Sequence, residues 1–214
     1  MLDTFIAALD WLGITVFAVT GALVASRKQM DVVGFALLAT VTGVGGGTVR
    51  DLCLGLVPVF WVEQPAYVAA CVAVAVVVFF TAHIPESRYR LLLWLDAAGL
   101  SFFCIVGAER ALDAGTGPAV AIMMGIVTAT IGGVIRDVLG GEIPVVLRKE
   151  IYVTAALAGG LAFVGLVVAG VPQLPAAATG FAVCFVVRGA ALLRGWSLPV
   201  YRPRPGRDPG DLGL

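Results

Sequence analysis

Seven long apolar stretches alternate with short polar segments along the chain. Their approximate bounds are residues 3–25, 31–56, 64–82, 90–111, 117–140, 149–170 and 174–194. A helix needs about 20 predominantly apolar residues to cross the hydrocarbon core of a bilayer. The pattern therefore predicts seven transmembrane helices, which we expect to form a single transmembrane domain over residues 1–198. The remaining segment, 199–214, is rich in proline, glycine and arginine and is expected to be a disordered tail.

The composition is typical of a membrane protein. Of the 214 residues, 13% are charged and 60% are hydrophobic, and the mean hydropathy is +1.01. A soluble protein carries about a quarter charged residues, and its interior is too small to hide this much apolar surface. Lipid must therefore cover part of the protein. The formal net charge is zero, which gives no argument for nucleic-acid binding.

The sequence does not contain the pattern of an enzyme or of a metal centre. His83 is the only histidine, so a multi-histidine metal site is excluded. The four cysteines are scattered without paired spacing, and we interpret them as small hydrophobic residues. Because no nucleophile stands beside a base in the pattern, we expect neither catalysis nor a cofactor.

Basic residues lie on one side of the predicted membrane domain. They follow the first, third, fifth and seventh stretches, at Arg27, Lys28, Arg88, Arg90, Arg148, Lys149, Arg188, Arg194, Arg202, Arg204 and Arg207. The opposite loops are nearly free of them, with Arg110 as the exception. The positive-inside rule then predicts a multi-pass protein of the inner (plasma) membrane, with its N-terminus outside and its C-terminal tail in the cytoplasm. No basic residue precedes the first stretch, so we expect that helix to be retained rather than cleaved as a signal peptide.

When the sequence is shifted by 86 residues, the stretch Leu9–Val59 matches Leu95–Val145 without a gap. The matched positions include Asp10 with Asp96, Thr42 with Thr128, Arg50-Asp51 with Arg136-Asp137, and Pro58 with Pro144. Matched charges and prolines do not follow from apolar composition alone, so they indicate a duplication. Each copy holds three stretches, an odd number, so the second copy must enter the membrane from the opposite face. We therefore predict an all-α inverted repeat with copies over about 3–82 and 89–170, and an additional seventh helix over about 174–194.

Glycines cluster near the centres of the second and fifth stretches. They are Gly43, Gly45, Gly46 and Gly47 in the second stretch, and Gly132 and Gly133 in the fifth. Each glycine weakens a helix by about 1 kcal/mol relative to alanine, so a cluster can bend or unwind it and expose carbonyl groups to a wet path. Alternatively, the glycines allow close helix packing. Their repetition beside a charged pair favours kinked helices that line a path, with Thr42 and Thr128 as lining hydroxyls.

Each glycine cluster is followed by an arginine and an aspartate within a predicted span. Adjacent helical residues point about 100° apart, so we expect Arg50 not to pair with Asp51. Similar depths in the membrane instead predict the pairs Asp10–Arg50 and Asp96–Arg136. Asp51 and Asp137 would then face the path. Alternatively, the arginines belong to a purely structural network that holds the helices together and lines no path. The polar group at Glu109, Arg110 and Asp113 is interpreted as a solvated helix end.

The segment from Gly45 to Asp51, its copy around Gly132, and the three-plus-three-plus-one layout resemble the prokaryotic trimeric intracellular cation (TRIC-type) channels, also described as a duplicated "glycine transporter" domain. The resemblance covers about residues 3–194. It implies a homotrimer in lipid with a pore in each subunit, through which K⁺ or Na⁺ passes. It also implies that the matching residues carry the helix kinks and the polarity of the pore: Gly45, Gly46, Gly47, Arg50, Asp51, Gly132, Gly133, Arg136 and Asp137. The second copy has one glycine fewer, with Ile131 in place of the first.

Three functions remain open from the sequence. A potassium channel is the first. A secondary transporter of glycine or another small solute is the second, because inverted repeats with broken helices also suit alternating access. A non-conducting assembly protein is the third, although repeated charge inside the membrane argues against it.

Overall fold

The computed structural model describes residues 2–85, 87–199 and 206, with side chains from residue 7 onward. Most of the predicted tail at 199–214 lies outside the described residues. The described chain forms α1 (Leu2–Arg27), α2 (Val32–Leu54), α3 (Phe60–Glu63), α4 (Ala66–Thr81), α5 (Arg88–Asp113), α6 (Pro118–Leu139), α7 (Val153–Val168) and α8 (Gln173–Arg194). A single 3₁₀ turn, Val145–Leu147, precedes α7. The predicted all-α architecture is confirmed.

Seven of these helices correspond to the seven predicted stretches, but they differ in length. Five are long and apolar enough to cross a membrane: α1 (from Ala7), α2, α5, α6 and α8. The helices α4 and α7 are apolar but have 16 residues each, or roughly 24 Å, which is shorter than the roughly 30 Å hydrocarbon core. Seven complete crossings therefore stay a prediction. The short helix α3 was not predicted, because four residues carry no periodic pattern.

The helices of the two copies make equivalent contacts with each other, as a pseudo-twofold symmetry requires. The aromatic rings of Phe17 in α1 and Phe103 in α5 meet edge to face with centroids 5.0 Å apart. These two phenylalanines are equivalent under the 86-residue shift. A side chain at Gly13 would strike Phe103, and one at the equivalent Gly99 would strike Phe17. The duplicated sequence therefore produces a duplicated contact between the copies.

The glycine clusters bring α2 and α6 together. A Cβ atom at Gly46 would overlap the carbonyl oxygen of Thr128, and one at Gly132 would overlap that of Thr42. These two contacts are again equivalent under the repeat. The helix α2 continues without interruption from Val32 to Leu54, so the predicted unwinding at the glycines is wrong. Close packing, the alternative reading, is what the glycines provide, and a bend within a continuous helix stays a prediction.

Charged residues gather at one end of the bundle. Arg27, at the end of α1, lies 2.9 Å from Glu142 in the loop after α6. Arg148 of the same loop donates a 2.6 Å hydrogen bond to the hydroxyl of Tyr89, at the start of α5. The ends of these three elements therefore share one side, as the alternation of the predicted spans requires. We call this side the basic end and the opposite side the cavity end.

The crossing of α2 and α6 predicts that alanine substitutions at neighbouring glycines lower the melting temperature by very different amounts. We expect Gly46→Ala and Gly132→Ala to lower the melting temperature in detergent by roughly 5–10 °C, because a methyl group would meet backbone and overpacking costs about 1–3 kcal/mol. Gly45→Ala is the matched control, since its methyl group would meet only the end of the Ile135 side chain. Equal losses in all three variants, measured by fluorescence-detected size exclusion after heating, would contradict this account.

Candidate ion pathway

Each arginine of the repeated motif pairs with the aspartate that follows it. The guanidinium of Arg50 donates from Nε to Oδ1 of Asp51 at 2.8 Å, and Arg136 donates from Nε to Asp137 at 2.9 Å. The prediction that adjacent residues do not pair was wrong. Helical spacing separates the two Cβ directions, but the long arginine side chain curls back far enough to reach its neighbour.

The chain that returns after each helix holds the aspartate in place. The backbone N–H of Phe60 donates to Oδ2 of Asp51 at 2.9 Å, and the N–H of Val145 donates to Oδ2 of Asp137 at 3.0 Å. Each carboxylate thus joins a guanidinium to the backbone of the next segment. The two aspartates are therefore not free to face a path alone, as the sequence had suggested.

In the second copy, Asp96, Arg136 and Asp137 form a connected set of ion pairs, although Oδ2 of Asp96 has no hydrogen-bond partner among the described residues. Nη1 of Arg136 lies 2.7 Å from Oδ1 of Asp96, and both side chains are completely buried. The same nitrogen donates to the hydroxyl of Thr20 at 2.9 Å. The predicted pair Asp96–Arg136 is therefore present, with Asp137 and Thr20 as additional partners. This second-copy set lies buried near the basic end.

In the first copy, the equivalent set Asp10, Arg50 and Asp51 is open. Asp10 is buried, yet it forms no ion pair within the described chain, so the predicted pair Asp10–Arg50 is absent. Oδ2 of Asp10 and Nη1 of Arg50 have no hydrogen-bond partner among the described residues. Arg50 instead lies against Asp51 and over the ring of Phe60, 5.6 Å from its centroid, and this position draws it away from Asp10.

A cavity of about 400 Å³ opens beside the first-copy set. It is lined by Asp10, Arg50, Asp51, Leu56, Val57, Pro58, Phe60, Glu63, Gln64, Tyr67 and Arg110. Three carboxylates and two guanidinium groups share this lining, which leaves one surplus negative charge when all five are ionised. Groups without partners inside a low-dielectric bundle are costly unless water or an ion solvates them. The cavity is therefore a polar pocket with the first-copy set in its lining.

Thr20 contributes to the difference between the two sets. The residue equivalent to Thr20 under the repeat is Val106, which has no hydroxyl. Arg136 therefore has an uncharged hydrogen-bond partner that the repeat does not supply to Arg50. The hydroxyl of Tyr152 also lies at the second-copy set, where a Cβ at Gly133 would come within 3.3 Å of it. The second copy is better equipped to hold its arginine against Asp96.

The predicted lining residues do not all face the cavity. The hydroxyls of Thr42 and Thr128 donate to the carbonyls of Leu38 and Met124 in their own helices, as isolated helical threonines commonly do. Both threonines lie at the crossing of α2 and α6, so their observed role is packing. Gly47 packs against Phe60, where a Cβ would come within 2.6 Å of the ring.

Sequence reasoning missed several polar residues near the cavity end. Glu109 is buried and neither of its carboxylate oxygens has a partner among the described residues, so its interpretation as part of a solvated helix end was wrong. Its equivalent under the repeat is Leu23, so the duplication gives no signal for it. Tyr67 and Arg110 also line the cavity; the repeat places Val24 opposite Arg110, and Tyr67 lies beyond the ungapped match of residues 9–59 with 95–145. Only the folded arrangement identifies these residues.

A family model described as "Glycine transporter" matches residues 7–83 and 93–167. The chain belongs to this family. The two matched segments begin 86 residues apart, at the two copies of the repeat. An inner membrane protein of Escherichia coli K12, the UPF0126 protein YadS, is 39% identical over 198 residues, covering 90% of this chain and 94% of that protein. A UPF0126 membrane protein of Vibrio cholerae is 38% identical over 205 residues, covering 94% and 84%.

Solved structures of the trimeric intracellular cation channels share the fold. The TRIC orthologue from Rhodobacter sphaeroides is 63% identical with a TM-score of 0.89, over 90% of this chain and 100% of that one. A prokaryotic TRIC channel crystallised in 0.5 M KCl is 30% identical with a TM-score of 0.85, over 92% and 100%. The resemblance inferred from the glycine and arginine–aspartate motif is therefore confirmed. Like these relatives, the chain is an all-helical membrane protein.

The unequal sets predict unequal effects of equivalent substitutions. Asp96→Asn should lower stability by about 1.5–3 kcal/mol, because it replaces the charged hydrogen-bond partner of Arg136 inside a buried network, although Asp137 still neutralises the arginine. Asp10→Asn should cost less than about 1 kcal/mol, because Asp10 has no ion-pair partner among the described residues to lose and its buried charge is itself costly. Thermal unfolding of the two variants in the same detergent measures the difference. If Asp10→Asn destabilised the protein as much as Asp96→Asn, Asp10 would be paired and the two sets would be alike.

Proposed function

We propose that the protein is a channel for monovalent cations, K⁺ or Na⁺, with a pore in each subunit of a homotrimer. The observation that carries the proposal is a polar cavity lined by a buried carboxylate, Asp10, that has no ion-pair partner among the described residues, in a fold shared with TRIC cation channels. The solved relative is trimeric by its name, which supports the trimer. The positive-inside pattern supports a cavity end that faces outward and a basic end that faces the cytoplasm.

The charges of the cavity favour a cation over an anion. The surplus negative charge attracts cations, and low-dielectric walls focus that attraction. Arg50 does not oppose entry strongly, because Asp51 neutralises it at 2.8 Å. A cation that enters the cavity reaches Oδ2 of Asp10, which has no other partner among the described residues. Asp10 is therefore the cation ligand that we assign to this cavity.

The second-copy set is the barrier to conduction in this conformation. The side chain of Arg136 bridges Asp96 and Asp137 with no exposed surface, so an ion has no space beside it. Conduction requires Arg136 to leave Asp96 while keeping Asp137. Arg50 adopts that arrangement in the first copy, bound to Asp51 and apart from Asp10. The opening we propose is thus one that the same motif already adopts elsewhere in the molecule.

A secondary transporter of glycine or another small solute is the second candidate. One entrance that is open while the other is closed is the arrangement expected of alternating access. The cavity also presents both carboxylate and guanidinium groups, which could meet the two ends of a zwitterion. Transport would then require the two sets to exchange conformations in turn, whereas a channel requires both to be open together.

Single-channel recording in planar bilayers tests the two candidates. In asymmetric KCl we expect discrete currents that reverse near the potassium potential. Asp10→Asn should reduce the unitary current at least about twofold at low salt, and less at about 1 M salt because screening weakens the attraction. Asp113→Asn is the control, since this exposed carboxylate at the cavity end does not line the cavity. Silent bilayers together with saturable uptake of labelled glycine into proteoliposomes would establish the transporter instead.

The hydrogen bond between Arg136 and Thr20 predicts that a substitution which changes no charge alters the ratio of open to closed states. Thr20→Val removes a hydrogen bond of about 1 kcal/mol from Arg136 and should raise the ratio of open to closed states about fivefold. Val106→Thr, the reciprocal change in the other copy, should lower that ratio. Thr15→Val, in the same helix but not bonded to Arg136, should leave it unchanged. Equal open probabilities in Thr20→Val and wild type would show that Arg136 does not form the gate.

A further inference from the structure

The loop after α6 repeats the backbone of the loop after α2. The N–H of Glu142 donates to the carbonyl of Asp137 at 2.8 Å. At the equivalent position of the first copy, the N–H of Leu56 donates to the carbonyl of Asp51 at the same distance, 2.8 Å. In the first copy, residues 56–58 of this loop line the polar cavity. The loop around Glu142 therefore marks the corresponding mouth of the second copy, beside the second-copy set at the basic end.

Ion pairs cross this second-copy mouth. The carboxylate of Glu142 lies 2.9 Å from Nη2 of Arg27, at the end of α1, and only 13% of the Glu142 side chain is exposed. Lys28 and Arg148 approach the same carboxylate at 3.7 and 3.9 Å. Arg27 also lies over the ring of Tyr89, 4.9 Å from its centroid. The end of α1, the loop after α6 and the start of α5 are thus tied together around one carboxylate.

The first copy lacks these ion pairs. Under the 86-residue shift, Arg27 corresponds to Asp113 and Glu142 corresponds to Leu56. An acidic residue and an apolar residue thus replace the oppositely charged pair, and Asp113 forms no ion pair within the described chain. No ionic attraction of this kind therefore draws the end of α5 towards the loop after α2.

Packing beside the ion pairs shows the same difference between the copies. In the second copy, a Cβ atom at Gly140 would come within 2.6 Å of Cγ1 of Val24. The equivalent residues of the first copy are Leu54 and Arg110, and Arg110 lines the open cavity. The end of α1 therefore packs closely on the end of α6, whereas the corresponding position in the first copy contributes a long charged side chain to the cavity wall.

We propose that the pair Arg27–Glu142 is an ionic latch that holds the second-copy mouth shut, in series with the barrier at Arg136. The latch rests on the proposed conduction, since it acts only where an ion passes. The pair is partly exposed, so water can solvate both charges when they separate. Without the charge of Glu142, the neighbouring Arg27, Lys28 and Arg148 would repel one another. Both latch residues are positioning residues, because they hold the end of α1 against the loop after α6.

Single-channel recording of Glu142→Gln tests the latch, because glutamine keeps the size of the side chain and removes its charge. The ratio of open to closed states should rise roughly threefold to fivefold. In wild type, raising KCl at the basic end from about 0.1 to about 1 M should also raise this ratio, because screening weakens the pair. Glu142→Gln should lose or reverse that salt dependence. Asp31→Asn is the control, since it removes a carboxylate at the same end and keeps an oxygen for the helix cap. An unchanged ratio in Glu142→Gln, or an equal rise in Asp31→Asn, would overturn the latch.

A distance measurement separates the latch from conduction. Spin labels at Ser26→Cys and Ile143→Cys, in a Cys53→Ser background because the other three cysteines are buried, report how far the end of α1 lies from the loop after α6. Dilution with unlabelled protein restricts the measurement to pairs within one subunit. In lipid nanodiscs, Glu142→Gln should lengthen and broaden this distance. Lengthening in a protein that passes no current would support the latch contact and overturn the channel. An unchanged distance in a protein that conducts would overturn the latch alone, and an unchanged distance in a silent protein would overturn both.

Discussion

The neutralisation of two arginines inside the membrane domain is the constraint on which the rest of the structure depends. Charge at the centre of a bilayer costs several kcal/mol, and a buried ion pair is tolerated only when further hydrogen bonds satisfy its remaining atoms. Arg50 and Arg136 are neutralised in the same way, each by the following aspartate, whose second oxygen accepts a backbone N–H from the returning chain. The ends of α2 and α6, and the reversals after them, must therefore be placed where this N–H can reach the carboxylate.

The glycines that lie four residues before each arginine help to place the two arginine sets. Gly46 and Gly132 allow α2 and α6 to cross at backbone contact, so the two arginine sets are carried by helices packed directly against each other. Their spacing from the arginine is the same in both copies, four residues. A movement of one crossing helix therefore alters the surroundings of both sets, so the crossing links them physically without any additional element.

The duplication made much of this architecture predictable. The apolar stretches, the inverted repeat, the motif and the pair Asp96–Arg136 all follow from one-dimensional patterns. The pairs Arg50–Asp51 and Arg136–Asp137 were missed, because helical spacing describes where side chains start and not how far an arginine reaches. Glu109 was missed because its equivalent in the other copy is Leu23, so the repeat gives no signal of a functional residue at that position. The open first-copy set was missed because matching sequences predict matching contacts, whereas each copy also depends on neighbours outside the motif.

Those neighbours explain why one motif has two arrangements in a single chain. In both copies the arginine is paired with the aspartate that follows it. The copies differ in the aspartate of the preceding helix: Asp96 is bound to Arg136, whereas Asp10 is not bound to Arg50. Since the motif is the same, the free energies of the two arrangements differ by what surrounds it: the hydroxyl of Thr20 is present at Arg136, and valine stands at the equivalent position, 106. A hydrogen bond of this kind contributes about 1 kcal/mol, which is enough to bias such an equilibrium without preventing its reversal. A gate needs that balance, because a barrier held by a much larger free energy would not open on a physiological timescale.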